Sequence, residues 1–451
     1  MLRALFLFAL SFSFLGQIAQ SEDDSKGMSP RDFLSIHQVK DPVLSPDGRH
    51  LVYQRSSTIW SKNSKIDRYR LINIETGERL PVQEPQRDTD SESEVSWRPD
   101  GAGFVYLRRP PGAGERQAYF FDLETHASEQ LTNHEEDVGA IQWARDGSGF
   151  YFATTERETP QTGEKQVKAE WQIQAFDEPA DRELWFFDLT TRQSQAVIYG
   201  DFTVRGESLS RDGSQLVYTR APDQRLNSGY LREVYVRDLE TGEDTAWTDN
   251  EYAEGQVRLS PDNSTISYIA TVNEAGEPYY EDKVFIQKRG EAPRRLLGDM
   301  AFEALEHAWD QTGEGLFILG NTGLRTALYR YDLESQTLTA LTSGDQVVAG
   351  WRYDPLQNAH TAKIIDANSP GELYILKDGT NRFEPLTDEY ADWDEKFALP
   401  QQEGFTWDAR DGTLIEGLLV YPLGYQRNKR YPLVTTTHGG PRSSSQFGSW
   451  N

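Results

Sequence analysis

The sequence contains no cysteine and few histidines: its 451 residues include 0 Cys and 7 His. The absence of cysteine excludes disulfides, thiol catalysis, thiolate metal sites and a lipid-modified amino-terminal cysteine. The few imidazoles show no metal-ligand spacing, so no zinc site is predicted. We therefore expect neither a metal nor another cofactor.

Basic residues and long apolar runs are also scarce. The 46 Lys and Arg stand against 72 Asp and Glu, which gives a net charge of −26. Such a surface repels phosphate backbones, so we expect no nucleic-acid partner. The apolar run from Ala4 to Gly16 follows the basic Arg3 and precedes acidic sequence. It is too short for a bilayer, which needs about 20 residues. Residues 1–20 are therefore predicted to be a secretory signal peptide, with a secreted or periplasmic protein and no membrane span after cleavage.

A β-rich repeat occupies most of the chain. A bulky apolar residue followed by a tight turn recurs at a period of roughly 50 residues. The turn chemistry is explicit, because Pro presets φ, Asp bonds its own backbone and Gly accepts a positive φ. The copies, of which the last two are degenerate, are LSPDG (Leu44–Gly48), WRPDG (Trp97–Gly101), WARDG (Trp143–Gly147), LSRDG (Leu209–Gly213), LSPDN (Leu259–Asn263), WDQTG (Trp309–Gly313) and WRYDP (Trp351–Pro355).

Each repeat has room for about four short antiparallel strands. A β-rich run follows each turn, and a second strand later ends in a polar turn, as in VYVRDLETGE (Val234–Glu243). Repeats of this length and content are typical of propeller blades, which bury both faces by stacking around an axis. We predict an all-β, seven-bladed β-propeller with four-stranded blades over residues 42–390. An insertion at Thr154–Arg182 is interpreted as a solvated loop, with a substrate-gating element as the alternative.

A short helical segment over residues 29–41 is predicted to lead into the propeller. Ser29 is a suitable N-cap, Pro30 fits the first helical position and Asp32 lies in the first turn. The dipeptide Asp41-Pro42 is expected to end this segment.

Residues 391–451 depart from the repeat. The run EGFTWDARDGTLIEGLLVYP (Glu403–Pro422) predicts a hairpin that turns at Asp411-Gly412. The run YPLVTTT (431–437) lacks polar alternation and predicts a buried strand of a parallel sheet. We therefore predict that an α/β-hydrolase domain starts in this region and is incomplete in this chain.

A glycine pair follows that predicted strand, in His438-Gly439-Gly440. Two glycines allow backbone N–H groups to approach an oxyanion closely. In α/β-hydrolases a similar loop after the third strand completes the oxyanion hole. The alternative is a simple tight turn, but the propeller and hairpin that precede it favour the catalytic interpretation.

The order of these motifs resembles the prolyl oligopeptidase family of serine peptidases, most of all its acylaminoacyl-peptidase and dipeptidyl-peptidase-like branch. The resemblance rests on SPRDFLSIHQVKDPVLSPDGRHLVY, the SPDG-type repeats, DGTLIEGLLVYP, KRYPLVTTTHGGP and SQFGSWN. It implies a propeller that caps a peptidase domain and restricts access to short peptides. It also implies that His438, Gly439 and Gly440 lie beside the oxyanion hole. In prolyl oligopeptidase itself and in its dipeptidyl peptidase relatives, the position that matches His438 is a Tyr, so this departure leaves the identity of the hydrogen-bond donor open.

The nucleophile of the family has no counterpart in this chain. The closest match to its G-x-S-x-G elbow, at 206–210, lacks the final Gly and coincides with a blade turn. The resemblance implies a Ser, Asp and His triad downstream of Asn451, so we expect a truncated chain that is inactive by itself. The alternative is a stand-alone TolB-like β-propeller that binds peptide or protein partners.

Overall fold

The computed structural model describes residues 27–82, 91–110, 114–155, 181–225, 227–250, 252–272, 277–298, 300, 302–377, 382–440 and 443–448. Within these ranges the helices are short: α1 (Pro30–Ser35), α2 (Trp393–Lys396) and the 3-10 turns Trp60–Lys62 and Asn227–Leu231. None of the helices found there is long and apolar enough to cross a membrane. The predicted signal peptide (1–20) and residues 156–180 of the insertion lie outside the described residues.

Strands dominate, and consecutive strands pair antiparallel. Five sheets have four strands each: β1 (Gln38–Leu44), β2 (His50–Ile59), β3 (Ser64–Asn73) and β4 (Arg79–Pro81); β5 (Glu92–Trp97), β6 (Gly103–Arg108), β7 (Gln117–Asp122) and β8 (Ser128–Gln130); β9 (Asp137–Trp143), β10 (Gly149–Thr155), β11 (Arg182–Asp188) and β12 (Gln193–Ile198); β13 (Thr203–Leu209), β14 (Gln215–Ala221), β15 (Glu233–Asp238) and β16 (Asp244–Ala246); β17 (Gly255–Leu259), β18 (Thr265–Val272), β19 (Pro278–Lys288) and β20 (Arg294–Arg295).

The remaining strands form two further sheets. An eight-stranded sheet contains β21 (Glu303–Trp309), β22 (Gly315–Asn321), β23 (Thr326–Asp332), β24 (Leu338–Ala340), β25 (Gln346–Asp354), β26 (Ala359–Asp366), β27 (Ser369–Lys377) and β28 (Glu384–Pro385). Its two antiparallel halves meet at one parallel pair, Thr326 with Val347. A two-stranded sheet follows, with β29 (Gln402–Asp408) and β30 (Leu414–Val420). The mostly-β, helix-poor architecture of four-stranded antiparallel sheets predicted from the sequence is thereby confirmed.

In the first six units the repeated turn joins the first and second strands. In the seventh, Trp351–Asp354 belong to β25 and the turn follows them, before β26. In the turn between β1 and β2, Arg49 N donates to Asp47 Oδ1 at 3.0 Å and His50 N donates to Ser45 Oγ at 2.9 Å. Gly48 has φ +71°, the left-handed conformation that glycine adopts without steric cost. In the LSPDN copy, Asn263 takes the same position with φ +60°. The turn chemistry of the sequence thus sets the hairpin geometry of each unit.

A buried threonine secures the outer edge of four units. In each unit the threonine lies two residues beyond the fourth strand, and its Oγ1 accepts a hydrogen bond from an N–H of the third strand. The distances are 2.8 or 2.9 Å. The pairs are Thr132 with Ala118, Thr248 with Val234, Thr342 with Leu328 and Thr387 with Leu373. These hydroxyls satisfy N–H groups that would otherwise be buried without a partner.

Replacing Thr342 by valine is expected to lower the free energy of unfolding by about 1–2 kcal/mol, because the Leu328 N–H would lose its buried acceptor. Urea denaturation followed by circular dichroism measures the change. The control is Thr339→Val in β24, an exposed position where a β-branched residue replaces another at little cost. Equal urea midpoints for the two variants would contradict this role of Thr342.

Apolar faces of successive units pack against each other. One core cluster joins Tyr69 of β3 to Trp97 and Phe104 of the next unit. The indole nitrogen of Trp97 also donates to Val43 O at 3.2 Å, across the same boundary. Another cluster joins β1 and β2 to β26 and β27, through contacts that include Leu51 and Leu373. The first unit therefore packs against both the second unit and β25–β28, which closes the units into a ring.

A polar cluster, here called the closure cluster, reinforces this joint. The carboxylate of Glu389 accepts hydrogen bonds from Tyr53 OH at 3.1 Å and Arg55 Nε at 3.2 Å, and its Oε2 lies 3.2 Å from His37 Nε2. The ring of His37 stacks on Tyr390 at 5.1 Å between centroids. The close approach of His37, together with the charge of Arg55, lowers the pKa of Glu389 to about 2. The cluster joins the chain that enters β1 to the chain that leaves β28.

The helical lead-in is shorter than predicted. Instead of filling residues 29–41, α1 ends at Ser35, although its capping box forms as expected between Ser29 and Asp32. The chain is already extended at Gln38 because β1 pairs with β2 there. Asp41, with φ +52°, and the following proline lie in a bulge of that strand, where the missing proline N–H costs no ladder bond.

Candidate functional site

The hairpin predicted in residues 403–422 forms as β29 and β30, and it rests on the loop between β22 and β23. Glu416 of β30 accepts hydrogen bonds from Leu324 N at 3.0 Å and Arg325 Nη1 at 3.1 Å. Arg325 also pairs with Asp345 at 2.6 Å. The contacts of Leu324 and Arg325 with Glu416 hold the hairpin on one side of the ring, and Asp345 holds the Arg325 side chain in place.

Residues 443–448 dock on the same loop. Phe447 N donates to Leu324 O at 3.1 Å, and Gln446 Nε2 donates to Thr326 Oγ1 at 2.9 Å. The Phe447 side chain is only 2% exposed. Two separate stretches of the final segment therefore converge on a single loop of the ring.

The predicted buried strand at 431–437 is wrong for this structure. These residues form no strand, and Leu433 and Val434 are 78% and 83% exposed. No described strand lies beside this segment, so its backbone has no ladder partner and its apolar side chains have no surface to pack on.

The predicted oxyanion-side residues, His438, Gly439 and Gly440, lie next to that exposed segment. The Nδ1 atom of His438 lies 3.0 Å from Gly439 O, and a Cβ placed on Gly439 would meet no heavy atom within 4 Å. Gly440 has φ +137°, which favours glycine. Within the described ranges no serine hydroxyl or carboxylate makes a hydrogen bond to His438, so a catalytic constellation is not assembled there.

A cavity of about 800 Å³ lies on the axis of the ring. The first strand of every four-stranded unit contributes to its wall, from β1 through β25. Four tryptophans at the repeated turn position also line it: Trp97, Trp143, Trp309 and Trp351. The sequence repeat thus builds the cavity as well as the sheets.

Arg211 narrows one mouth of the cavity. This residue lies in the turn between β13 and β14, and its guanidinium donates to Gln311 O at 2.5 Å and to Asp310 O at 3.1 Å. This contact joins the β13–β16 unit to the unit that begins with β21, and it passes over the turn of the β17–β20 unit between them. Burial lowers the pKa of Arg211, although its N–H groups donate hydrogen bonds to these two carbonyl oxygens. The other mouth lies on the side of the loops that join second and third strands. One of these loops, between β22 and β23, contacts the β29–β30 hairpin and residues 443–448.

Charged side chains also lie on the inner strands that line the cavity. They include Arg258, Glu306 and Arg352, on β17, β21 and β25 respectively. Burial raises the pKa of Glu306, while the charges of Arg352 and Arg258 oppose that rise. His307 is 2% exposed, and burial, with the charge of Arg258, lowers its pKa to about 3, so the ring is neutral at pH 7. The sequence reasoning missed these residues, although charges stand out in first strands that are otherwise apolar.

No protein-family model matches the chain. It is 21% identical to the uncharacterized peptidase YuxL of Bacillus subtilis, with 91% of this chain and 66% of the relative covered. It is 20% identical to dipeptidyl-peptidase 5 of Porphyromonas gingivalis, with 94% of this chain and 65% of the relative covered. The chain thus spans slightly less than two thirds of the length of these curated relatives.

Two solved structures show the fold. An acylaminoacyl peptidase in complex with Z-Gly-Gly-Phe-chloromethyl ketone superposes with a TM-score of 0.70 at 16% identity, over 93% of this chain and 63% of that one. The β-propeller domain of the Trilobed protease from Pyrococcus furiosus superposes with a TM-score of 0.56 at 14% identity. The superposition covers 78% of this chain and 96% of that domain.

The closed ring of four-stranded sheets and its axial cavity are those of a β-propeller, the class of fold shared with these structures. The similarity to proteins named as peptidases extends over nearly the whole chain. The resemblance to the prolyl oligopeptidase family of peptidases is therefore confirmed.

Proposed function

We propose that this chain is the amino-terminal part of a secreted or periplasmic serine peptidase of the prolyl oligopeptidase family that hydrolyses short peptides. In this proposal residues 42–390 form seven propeller blades and residues 391–451 begin the peptidase domain. The observation that carries it is the docking of the β29–β30 hairpin and of residues 443–448 on a propeller loop, in a chain similar to named peptidases along most of its length.

The seven-bladed arrangement has support from the sheets. Five sheets have four strands, and the eight-stranded sheet consists of two four-stranded antiparallel halves linked by one parallel pair. Each of these units also carries one copy of the turn repeat. The packing of the first unit on β26 and β27 is that of neighbouring blades around an axis.

Access through the propeller would restrict substrates to short peptides. A cavity of about 800 Å³ falls within the range of small-ligand sites, roughly 300–1,000 Å³, and is far too small for a folded protein. The contact of Arg211 with Gln311 and Asp310 narrows the mouth on the turn side. Peptides would therefore reach the peptidase domain from the other mouth or from the side.

An incomplete peptidase domain accounts for the exposed apolar surface of the final segment. Large apolar residues there are exposed to solvent. Their exposed fractions are 46% for Trp407, 66% for Leu414, 78% for Leu433 and 83% for Val434. Large apolar side chains exposed together in one segment are typical of a surface that packs against another part of a protein. Further strands and helices of the hydrolase domain would cover it, and would pair the segment 431–437 as a sheet strand.

The catalytic chemistry would depend on residues outside this sequence. A Ser, Asp and His triad downstream of Asn451 would supply the nucleophile and its base. His438, Gly439 and Gly440 would lie on the oxyanion side, with backbone N–H groups placed to receive the developing negative charge. A stand-alone propeller that binds partners is the competing function, and it leaves the apolar surface of residues 402–434 unexplained.

The 451-residue chain is expected to hydrolyse neither peptide p-nitroanilides nor activated esters, and to remain unlabelled by a fluorophosphonate probe. The gene is expected to continue past the codon for Asn451 and to encode a G-x-S-x-G elbow, and the longer product should hydrolyse the same peptides. Its Ser→Ala variant at the elbow is the control and should be inactive.

Two results would contradict this proposal. Hydrolysis by the purified 451-residue chain would show that the nucleophile lies within it. A stop codon after Asn451, with a stable and soluble product, would instead favour the binding propeller.

A further inference from the structure

Arg258 and Arg352 on the cavity wall have no hydrogen-bond or ion-pair partner among the described residues. Arg258 is half-buried on β17 and Arg352 lies on β25, where it is exposed to the cavity. Within the part of the chain that the structure describes, neither guanidinium makes a hydrogen bond or an ion pair. Arg182 on β11 differs from them, since it forms a two-pronged pair with Glu207 of the inner strand β13 at 2.6 and 2.7 Å.

The two guanidinium charges are close enough to affect one another. Burial lowers the pKa of Arg258, Glu306 opposes this effect, and the positive charge of Arg352 adds to it. Two cations that share a cavity, with no ion-pair partner among the described residues, repel each other, and the burial of Arg258 adds a desolvation cost. An anion placed between them would relieve both the repulsion and the unmet hydrogen-bond donors.

The neighbouring polar groups leave space for such an anion. Glu306 and Asp41 face the same cavity, but within the described ranges neither comes within ion-pair distance of an arginine. His307 is bonded through Nε2 to Ser267 Oγ at 2.8 Å, whereas its buried Nδ1 has no partner in the described part of the chain. The cavity therefore offers unmet polar groups from three adjacent inner strands, β17, β21 and β25.

We propose that Arg258 and Arg352 form a carboxylate-binding site inside the axial cavity, which holds the carboxyl terminus of a short peptide. A guanidinium presents planar donors that match the two oxygens of a carboxylate. Trp309 and Trp351 line the same wall and offer apolar surface to the adjoining peptide residues. The identity of the ligand as a peptide rests on the proposed function, whereas the recognition of a carboxylate rests on the cavity alone.

Equilibrium binding to the 451-residue chain tests the site. The probes are N-acetyl-trialanine and its carboxamide, which differ in the terminal charge, measured by calorimetry and by the fluorescence of the cavity tryptophans. We expect the free acid to bind at least about tenfold more tightly than the amide, the ratio that one charge-assisted pair supplies. This preference should weaken as the salt concentration rises.

Arg258→Gln and Arg352→Gln are each expected to lower the affinity for the acid about tenfold and to leave that for the amide unchanged. Arg289→Gln, in an exposed turn of the propeller, is the matched control and should bind like the parent chain. Equal affinities for acid and amide in the unmodified chain would overturn the proposal, even if a variant failed to fold. A preference for the acid that survives both substitutions together would also overturn it. Because no step requires hydrolysis, failure here is distinct from failure of the peptidase proposal.

Discussion

Replacing Glu389 by glutamine is expected to lower the free energy of unfolding at pH 7 by about 2–3 kcal/mol. The carboxylate of Glu389 accepts hydrogen bonds from Tyr53 and Arg55 and lies beside His37. It therefore connects the two ends of the propeller. A glutamine amide would keep one acceptor oxygen but would turn a pair of donors toward Arg55 or His37. Urea denaturation of the parent chain and of the variant measures the loss.

The effect should depend on pH with a defined sign. The pKa of Glu389 is about 2 in the folded chain, below the ordinary value of 4.5. A carboxyl group whose pKa falls on folding stabilises the folded state above its unfolded pKa. The stabilisation should therefore be complete above about pH 5 and should fade as the pH falls from 4.5 toward 2. The difference between the parent chain and Glu389→Gln should shrink over the same interval.

Glu384→Gln supplies the control for the closure cluster. Glu384 is exposed on β28, and its side chain has no hydrogen bond or ion pair among the described residues. This substitution removes the same charge close to the same joint and should change stability by less than about 0.5 kcal/mol. A comparable loss in both variants would show that net charge, and not the cluster, accounts for the effect.

Gly149→Ala is expected to destabilise the chain by about 2–3 kcal/mol. A Cβ at Gly149 would lie 2.0 Å from the carbonyl oxygen of Phe187 and 2.7 Å from the ring of Phe186. The first of these atoms belongs to the backbone of β11, which pairs with β10, so the new methyl group would push the two strands apart. Thermal and urea unfolding both measure the effect.

Gly229→Ala is the matched control. A Cβ on Gly229 would meet no heavy atom within 4 Å, and this glycine does not have a positive φ. The same chemical change should therefore be neutral within about 0.5 kcal/mol, or slightly stabilising because alanine restricts the unfolded chain. If Gly149→Ala were as stable as Gly229→Ala, the close approach of Gly149 to β11 would not constrain the fold.

Local chemistry made the strands and turns predictable. Asp47 and Gly48 predict the turn between β1 and β2, and Asp411 with Gly412 predicts the hairpin of β29 and β30. These features depend on residues close in sequence, whose preferred φ and hydrogen bonds decide the outcome. The buried threonines could also have been found, since Thr248 and Thr342 each follow a bulky apolar residue after the fourth strand.

Features that depend on distant residues were not predictable in the same way. The segment 431–437 has the composition of a buried strand, but a strand forms only where neighbouring strands supply hydrogen-bond partners. Glu389 and His37 are 352 positions apart in sequence, so only closure of the ring reveals their contact. Arg258 and Arg352 likewise become neighbours because their strands face the same axis.

The way in which the ring is closed has a mechanical consequence. Each described sheet is built from consecutive strands, so no strand from the start of the chain is inserted beside β28. The joint between the two ends consists of side-chain packing and of hydrogen bonds made by side chains, which include the closure cluster and the bond from Tyr390 OH to His37 O. When the chain is stretched between residues 29 and 400, this joint bears the tension first, and its few contacts break before any backbone ladder. The propeller would then unroll from its ends, with each hairpin unzipping one hydrogen bond at a time.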